Sequence, residues 1–220
     1  MFIGHFAIAF GAKKYAPRVS LGMLFLACQL ADLVWPSLVL LGIETFKIEP
    51  GNTALTPLRF IHYPYSHSLL ALLLWSVLLA GLYTLLHRSG KKVAMVIAVV
   101  VFSHWILDFL THRPDMPITL NDATLVGLGL WNYPFLAVSL ELLLFALGIW
   151  IYVRQTRALD KAGRYGLWGL GIFLLTVYLA NIFGPPPPSV TAVAWSAQAL
   201  WLIVAWGFWV DRHRLPVVDD

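Results

Sequence analysis

Long apolar stretches alternate with short polar ones along this chain, and the alternation predicts its architecture. A helix needs about 20 apolar residues to cross about 30 Å of hydrocarbon. Stretches of about that length occupy residues 19–43, 66–87, 93–111, 134–153, 166–183 and 190–210. We therefore expect an all-α, polytopic membrane protein, a six-span helical bundle that forms a single domain over residues 1–220.

Residues 1–12 are apolar as well, but this stretch is too short to cross a membrane. Lys13 and Lys14 follow it instead of preceding it, so it lacks the basic n-region of a signal peptide. We expect these residues to be retained as a short helix that packs into the bundle.

Composition and charge support a membrane protein. The chain is 60% hydrophobic and 12% charged, whereas soluble domains have about a quarter charged residues. Of the fifteen Lys and Arg residues, twelve lie on one set of alternate loops and three on the other. The positive-inside rule makes the basic side, with both termini, cytoplasmic. The net charge of +4 therefore reflects topology, and no basic stripe with interleaved aromatic residues indicates nucleic-acid binding.

The third stretch carries three ionisable side chains in an apolar context. His104, Asp108 and His112 are spaced four apart, so a helix places them on one stripe. A rise of 1.5 Å per residue puts them about 18, 24 and 30 Å from Lys92. Such groups are costly in hydrocarbon unless they are paired or bind metal, so they indicate a functional site in the outer half of the membrane.

Other polar side chains are expected at the same depth. They are His5 in the short helix, Asp32 in the first span, His62 and His67 at the outer mouth of the second span, and Glu141 in the fourth span. Helical rise places Asp32 about 21 Å from Arg18, and Glu141 about 20 Å from Arg154. We expect the histidines and Asp32 to converge with the stripe of the third stretch, and Glu141 to lie in the same outer half of the membrane.

Three local features are expected near these positions. Pro36 should kink the first span. Residues 44–65, with the Pro50-Gly51-Asn52 turn, are expected to form an irregular outer loop. Pro64 should keep the backbone before it, including His62, extended rather than helical. Ser66 is expected to cap the second span, with His67 in its first turn.

Imidazole and carboxylate ligands favour Zn²⁺, and also suit Fe, Mn or Ni. A catalytic zinc site keeps one position for water, which becomes the nucleophile. A serine nucleophile is less favoured, because no Gly-x-Ser-x-Gly motif occurs.

The ordered motifs resemble a known family. Gly4-His5, Ala31-Asp32 with Pro36, His62-x4-His67-Ser68-Leu69 and Ser103-His104-x3-Asp108-x2-Thr111 resemble, in order and spacing, the YdjM-type bacterial inner-membrane proteins often labelled membrane-bound metal-dependent hydrolases. The resemblance covers roughly residues 1–115. That family is thought to be distantly similar to zinc-dependent phospholipase C.

The resemblance implies metal-ligand roles, with one or two zinc ions as cofactor. The ligands would be His5, Asp32, His67, His104 and Asp108, with His62 a ligand or its neighbour. The chain departs from the family in two places. First, the stretch from Ala31 to Pro36 has one acid and one histidine fewer than the family's usual Pro-Asp-x-Asp-His-Pro. Second, the later His-x3-Glu pair of the phospholipases is missing, and only Glu141 or His112 could replace it.

We therefore expect a membrane-embedded hydrolase whose site faces the extracytoplasmic side. Metal-activated water would attack an ester or phosphodiester in a lipid-like substrate, with membrane lipid as the surrounding partner. A peptide or a lipid-linked sugar is an equally open substrate. Asp32 or Asp108 would ligate metal or act as general base, and His62 or His112 would protonate the leaving group. The alternatives are a transporter of divalent metal or protons, and a non-catalytic scaffold whose polar cluster fixes helix packing.

Overall fold

The computed structural model describes residues 1–121 and 123–217. The helices are α1 (Ile3–Ala12), α2 (Leu21–Cys28), α3 (Leu30–Leu40), α4 (Pro64–His67), α5 (Leu69–His87), α6 (Lys91–Thr111), α7 (Pro134–Gln155), α8 (Lys161–Phe183), α9 (Val190–Ala197) and α10 (Leu200–Arg212). Three small antiparallel pairs join them: β1 (Thr45–Ile48) with β2 (Leu58–His62), β3 (Met116–Pro117) with β4 (Leu125–Val126), and β5 (Thr156–Ala158) with β6 (Arg214–Pro216).

The predicted all-α bundle with a short N-terminal helix is confirmed. Among the described residues, five helical segments are long and apolar enough to cross a membrane, namely α5, α6, α7, α8 and the stretch Val190–Arg212 formed by α9 and α10. The bent pair α2 and α3 makes a sixth if it is counted as one span. Apolar helices of this length and number indicate a membrane protein.

The first span is broken, but at a different residue from the one expected. The axes of α2 and α3 differ by 55° at Gln29, whose backbone angles of φ −106° and ψ 8° lie outside the helical range. Pro36, the expected kink, lies within α3. The break means that Asp32 falls in the first turn of a new helix, inside the bundle.

The outer connection is more regular than the sequence suggested. The expected irregular loop over residues 44–65 contains the β1–β2 hairpin, with Phe46 paired opposite Phe60. Both rings pack on Trp35, at centroid distances of 5.0 and 5.7 Å. This aromatic contact explains why the hairpin folds down against α3.

The start of the second span also differs from the expectation. Pro64 occupies the first turn of α4, where its missing N–H costs nothing, so α4 forms before the span itself. Ser68, not Ser66, caps α5 by accepting a hydrogen bond from the Ala71 N–H. Ser66 is therefore free to make other contacts, and His67 ends α4.

Helix α1 lies within the bundle and carries His5 into it. Phe6 and Phe10 are fully buried, and both meet the ring of Phe25 edge to face, at 4.9 and 5.1 Å. On the other side of α1, the backbone of Ala7 lies against Gly148 of α7. A Cβ at Gly148 would lie 2.5 Å from the Ala7 carbonyl oxygen, so this close approach requires glycine.

The end of α1 is fixed by a buried cation. The Lys13 ammonium group donates to both carboxylate oxygens of Asp211, each at 2.8 Å, and to the Val19 carbonyl at 2.8 Å. The Tyr152 hydroxyl donates to the same carboxylate at 3.0 Å. Burial lowers the pKa of Lys13, and the Asp211 charge opposes that effect. These contacts tie α1 to α7 and α10.

Gly148→Ala tests the seating of α1. The added methyl group meets Ala7 backbone, so we expect α1 to be displaced and the protein to lose about 1–3 kcal/mol of stability. Thermal unfolding in detergent measures this loss. Gly81→Ala is the matched control: its Cβ would meet nothing within 4 Å, and we expect a neutral effect or a gain of up to about 1 kcal/mol. Equal melting temperatures for the two variants would contradict this packing.

Candidate metal centre

Four imidazoles converge on one carboxylate in the bundle interior. On one side, the Asp108 Oδ2 atom lies 3.1 Å from His104 Nε2, 3.8 Å from His67 Nε2 and 3.9 Å from His112 Nε2. On the other side, Oδ1 lies 3.1 Å from His5 Nε2. The four rings come from α1, α4, α6 and the residue after α6, so four of the five histidines that were expected to converge do so.

Asp32 completes the cluster from α3. Its Oδ1 atom lies 3.3 Å from His67 Nε2 and 3.9 Å from His104 Nε2. Two groups of three residues place their ligand atoms within 4.8 Å of one another: His5 with His104 and Asp108, and Asp32 with His67 and His104. His104 belongs to both groups, so its ring is the centre of the cluster.

The cluster is closed except on one side. The side chains of His5, His67, His104, Asp108 and His112 are each at most 4% exposed, whereas Asp32 is 27% exposed. On the side towards Lys13, the rings of Phe6, which follows His5 directly, and Phe25, three residues before Cys28, pack against each other. Among these residues, Asp32 is therefore the one whose side chain reaches the surface.

Hydrogen bonds at Nδ1 set the direction of two rings. His104 Nδ1 lies 2.8 Å from the Cys28 carbonyl oxygen, which only accepts, so Nδ1 carries the hydrogen. His112 Nδ1 lies 3.1 Å from the Asp115 carboxylate, which also accepts from the Tyr63 hydroxyl at 3.1 Å. In both rings the Nε2 lone pair then points into the cluster, as it does in metal-binding histidines.

The Tyr63 hydroxyl stays protonated in this arrangement. Its ring is buried beside the His112 ring, and burial, together with the Asp115 carboxylate, raises the pKa of Tyr63 well above its usual range. Tyr63 thus acts as a permanent donor to Asp115, and so supports the hydrogen bond that orients His112.

The residues fit a divalent transition metal. His104 Nε2 has no hydrogen-bond partner although it is buried, because its 3.1 Å approach to Asp108 lacks hydrogen-bond geometry. Lone pairs and carboxylates that face one another in a dry interior repel, unless a cation lies between them. Neutral nitrogen and carboxylate oxygen ligands without thiolate match Zn²⁺ and similar ions.

Three predicted site residues lie outside these two groups of three: His112, which borders Asp108, and Glu141 and His62. The Glu141 Oε2 atom accepts from the backbone N–H groups of Phe2, at 2.8 Å, and Gly4, at 3.2 Å. Glu141 thus holds the amino end of α1; its predicted role as a replacement ligand or catalytic residue stays a prediction. His62 lies on β2 opposite Thr45, and it belongs to neither ligand group; a catalytic role for it stays a prediction.

Several residues of the site were not found from the sequence. Asp108 Oδ1 also accepts from the Met1 amino group at 2.5 Å, and Ser66 lies 2.7 Å from His67 Nδ1. Asp115 had a detectable signal, since it lies three residues after His112 in a polar loop. Glu44 and the Cys28 carbonyl had no signal in the sequence. Only the fold brings Glu44 near His67 and the Cys28 carbonyl near His104.

Comparisons with family models, curated proteins and solved structures gave no match to this chain.

Replacing His104 tests the metal centre directly. His104 is common to both ligand groups. Loss of a residue that only hydrogen-bonds a metal ligand lowers metal affinity by roughly 10–100-fold, so we expect His104→Ala, which removes a ligand, to weaken zinc binding by more than that. Metal analysis of the purified protein and a competition titration with a chelator measure this effect. His87→Ala is the control, since His87 lies at the far end of α5 and contacts Tyr83. Equal zinc content in both variants would rule out the centre described here.

Proposed function

We propose that this protein is a membrane-embedded, metal-dependent hydrolase of the YdjM type, acting on an ester or phosphodiester of a lipid-like substrate. The observation that supports it best is the convergence of imidazole Nε2 atoms on the carboxylates of Asp108 and Asp32, with Asp32 at the exposed edge of the cluster. Hydrolytic metal sites combine such a closed ligand set with one open side.

His5, His67, His104 and Asp108 hold the metal in this proposal. A divalent zinc-type ion, one or two per protein, supplies Lewis-acid polarisation of the scissile group and acidifies the attacking water. Asp32, at the exposed edge, orients that water and accepts its proton. His112 lies beside Asp108 with Asp115 behind its Nδ1 atom, and on taking up a proton at Nε2 it would donate that proton to the leaving group.

The position of the site favours a lipid-like substrate. His104 and Asp108 lie about 18 and 24 Å along α6 from Lys92, close to one surface of a bilayer about 30 Å thick in its hydrocarbon core. An apolar groove of about 280 Å³ lies at the same end of α6 and α7, lined by Leu110, Leu128, Leu130, Tyr133, Leu136 and Leu140. Trp131, next to this lining, contacts the His112 ring at 4.3 Å, so an acyl chain in the groove places its headgroup beside the site.

A hydrolytic role explains the closed inner side better than transport. A path for ions across the bilayer needs polar groups on both sides of the cluster. On the side of Lys13 the cluster is backed by Phe6, Phe10 and Phe25, all fully buried.

We further propose a bacterial inner-membrane location, with the carboxyl end of α10 in the cytoplasm and the metal centre on the extracytoplasmic side. The expectation of a cytoplasmic amino terminus does not fit this arrangement, because the Met1 amino group donates to Asp108 within the centre. The distribution of basic residues supports this orientation. It also makes lipid headgroups of the outer leaflet, rather than cytoplasmic metabolites, the nearest substrates.

Asp32→Asn tests the catalytic role of the exposed edge. With zinc-loaded protein in mixed micelles, and a panel of phospholipids and lipid esters as substrates, we expect kcat to fall by about 10²–10⁴-fold, because the amide cannot accept the proton. Glu49→Gln is the control, since Glu49 pairs with Arg59 on the surface. Hydrolysis that survives both Asp32→Asn and removal of the metal would contradict the proposal.

Labelling of single cysteines tests the orientation. The native Cys28 is buried, so it gives little background. In spheroplasts we expect an impermeant maleimide to label Thr119→Cys, between α6 and α7, but not Leu159→Cys, between α7 and α8. Both positions are exposed in the structure. The reverse pattern would place the metal centre on the cytoplasmic side.

A further inference from the structure

Glu44 is a buried carboxylate that was expected to be an ordinary loop residue. It is 1% exposed. Its Oε1 atom accepts from the backbone N–H groups of Tyr65, at 2.8 Å, and Ser66, at 2.9 Å. Its Oε2 atom lies 2.6 Å from the Ser66 hydroxyl. Three donors on one carboxylate match its ionised form, which only accepts hydrogen bonds.

The backbone directs Glu44 to this place. After α3 ends, Gly42 adopts the left-handed conformation with φ 72°, and the N–H groups of Ile43 and Glu44 turn back to the Leu38 carbonyl oxygen. Glycine is the residue that adopts this conformation without strain. The reversal brings Glu44 beside α4, while Asp32, earlier on the same segment, faces the opposite side of His67.

These contacts determine which nitrogen of His67 carries the hydrogen. The Ser66 hydroxyl has one hydrogen, and the ionised Glu44 carboxylate takes it. Ser66 Oγ also lies 3.4 Å from the Tyr63 carbonyl oxygen, which likewise only accepts, and 2.7 Å from His67 Nδ1. With the hydroxyl hydrogen on the shorter contact to Glu44, the contact with His67 is one in which Nδ1 donates. The lone pair of His67 is therefore on Nε2, which lies 3.3 Å from Asp32 Oδ1 and 3.8 Å from Asp108 Oδ2.

We propose that Glu44 and Ser66 are positioning residues that hold His67 with its Nε2 lone pair directed at the metal. This inference rests on the proposed metal centre. It extends to His67 the arrangement that the Cys28 carbonyl provides for His104 and Asp115 for His112. Outer contacts of this kind contribute roughly 10–100-fold to metal affinity or activity.

Glu44→Gln is the sharpest test, because it keeps the shape and reverses one hydrogen bond. The two backbone N–H groups require the amide oxygen, so the amide nitrogen faces Ser66 and donates to its hydroxyl oxygen. The hydroxyl hydrogen then turns to His67 Nδ1, which becomes an acceptor, and the ring hydrogen moves to Nε2. We expect this switch in metal-free protein, and zinc affinity at least about tenfold lower.

Nitrogen NMR of histidine-labelled protein reads the tautomer without metal, and chelator competition reads the affinity. Ser76→Ala is the control: Ser76 is a buried serine of α5 whose hydroxyl donates to the Leu72 carbonyl oxygen of the same helix, so its loss should change neither measurement. Should Glu44→Gln fail to fold, Ser66→Ala provides the second test. We expect it to lower zinc affinity about tenfold, and Ser66→Thr, which keeps the hydroxyl, to restore it.

The outcomes separate this inference from the proposed function. A hydrogen on Nδ1 in the wild type that moves to Nε2 in Glu44→Gln supports the positioning role, even if no substrate is ever hydrolysed. Wild-type tautomer and wild-type zinc affinity in Glu44→Gln would overturn it, as would equal affinities for Ser66→Ala and Ser66→Thr. Failure of the proposed hydrolase alone would appear as zinc binding with this hydrogen-bond pattern and no turnover.

Discussion

The structure depends on bringing two carboxylates, those of Asp32 and Asp108, together with several imidazoles in the bundle interior. Ionised groups in a low-dielectric interior are stable only when they are paired and hydrogen-bonded. In this bundle Asp108 meets four rings at distances of 3.1 to 3.9 Å, and Asp32 meets two of them. Two of the rings have their Nδ1 atoms engaged elsewhere, so their lone pairs are left for an ion.

The unusual features of the fold all serve to bring these groups together. The break at Gln29 turns Asp32 into the bundle, and the short helix α4 places His67 before its span begins. Helix α1 would not otherwise lie in the interior; it is held there by Glu141 at one end, Gly148 along its side and Lys13 at the other end. A site assembled from four separate segments requires this much support, because a ligand that moves by about 1 Å loses its geometry.

Much of this arrangement could be predicted because it has a simple periodic signal. The spans follow from runs of apolar residues, and the stripe of His104 and Asp108 follows from a spacing of four. The membership of His5 followed from its resemblance to a family motif. In contrast, the break at Gln29 carries no local signal stronger than that of Pro36, so the kink was expected at the wrong residue. The β1–β2 hairpin depends on contacts with Trp35 that no local pattern shows, and Glu44 reaches His67 only through a chain reversal.

X-ray absorption at the zinc edge of the purified, zinc-loaded protein tests the central claim most directly. The account predicts nitrogen and oxygen neighbours at about 2.0–2.1 Å, with the outer scattering of at least two imidazole rings per zinc, since each ligand group contains two histidines. A spectrum without imidazole scattering, or a protein that retains no transition metal, would contradict it.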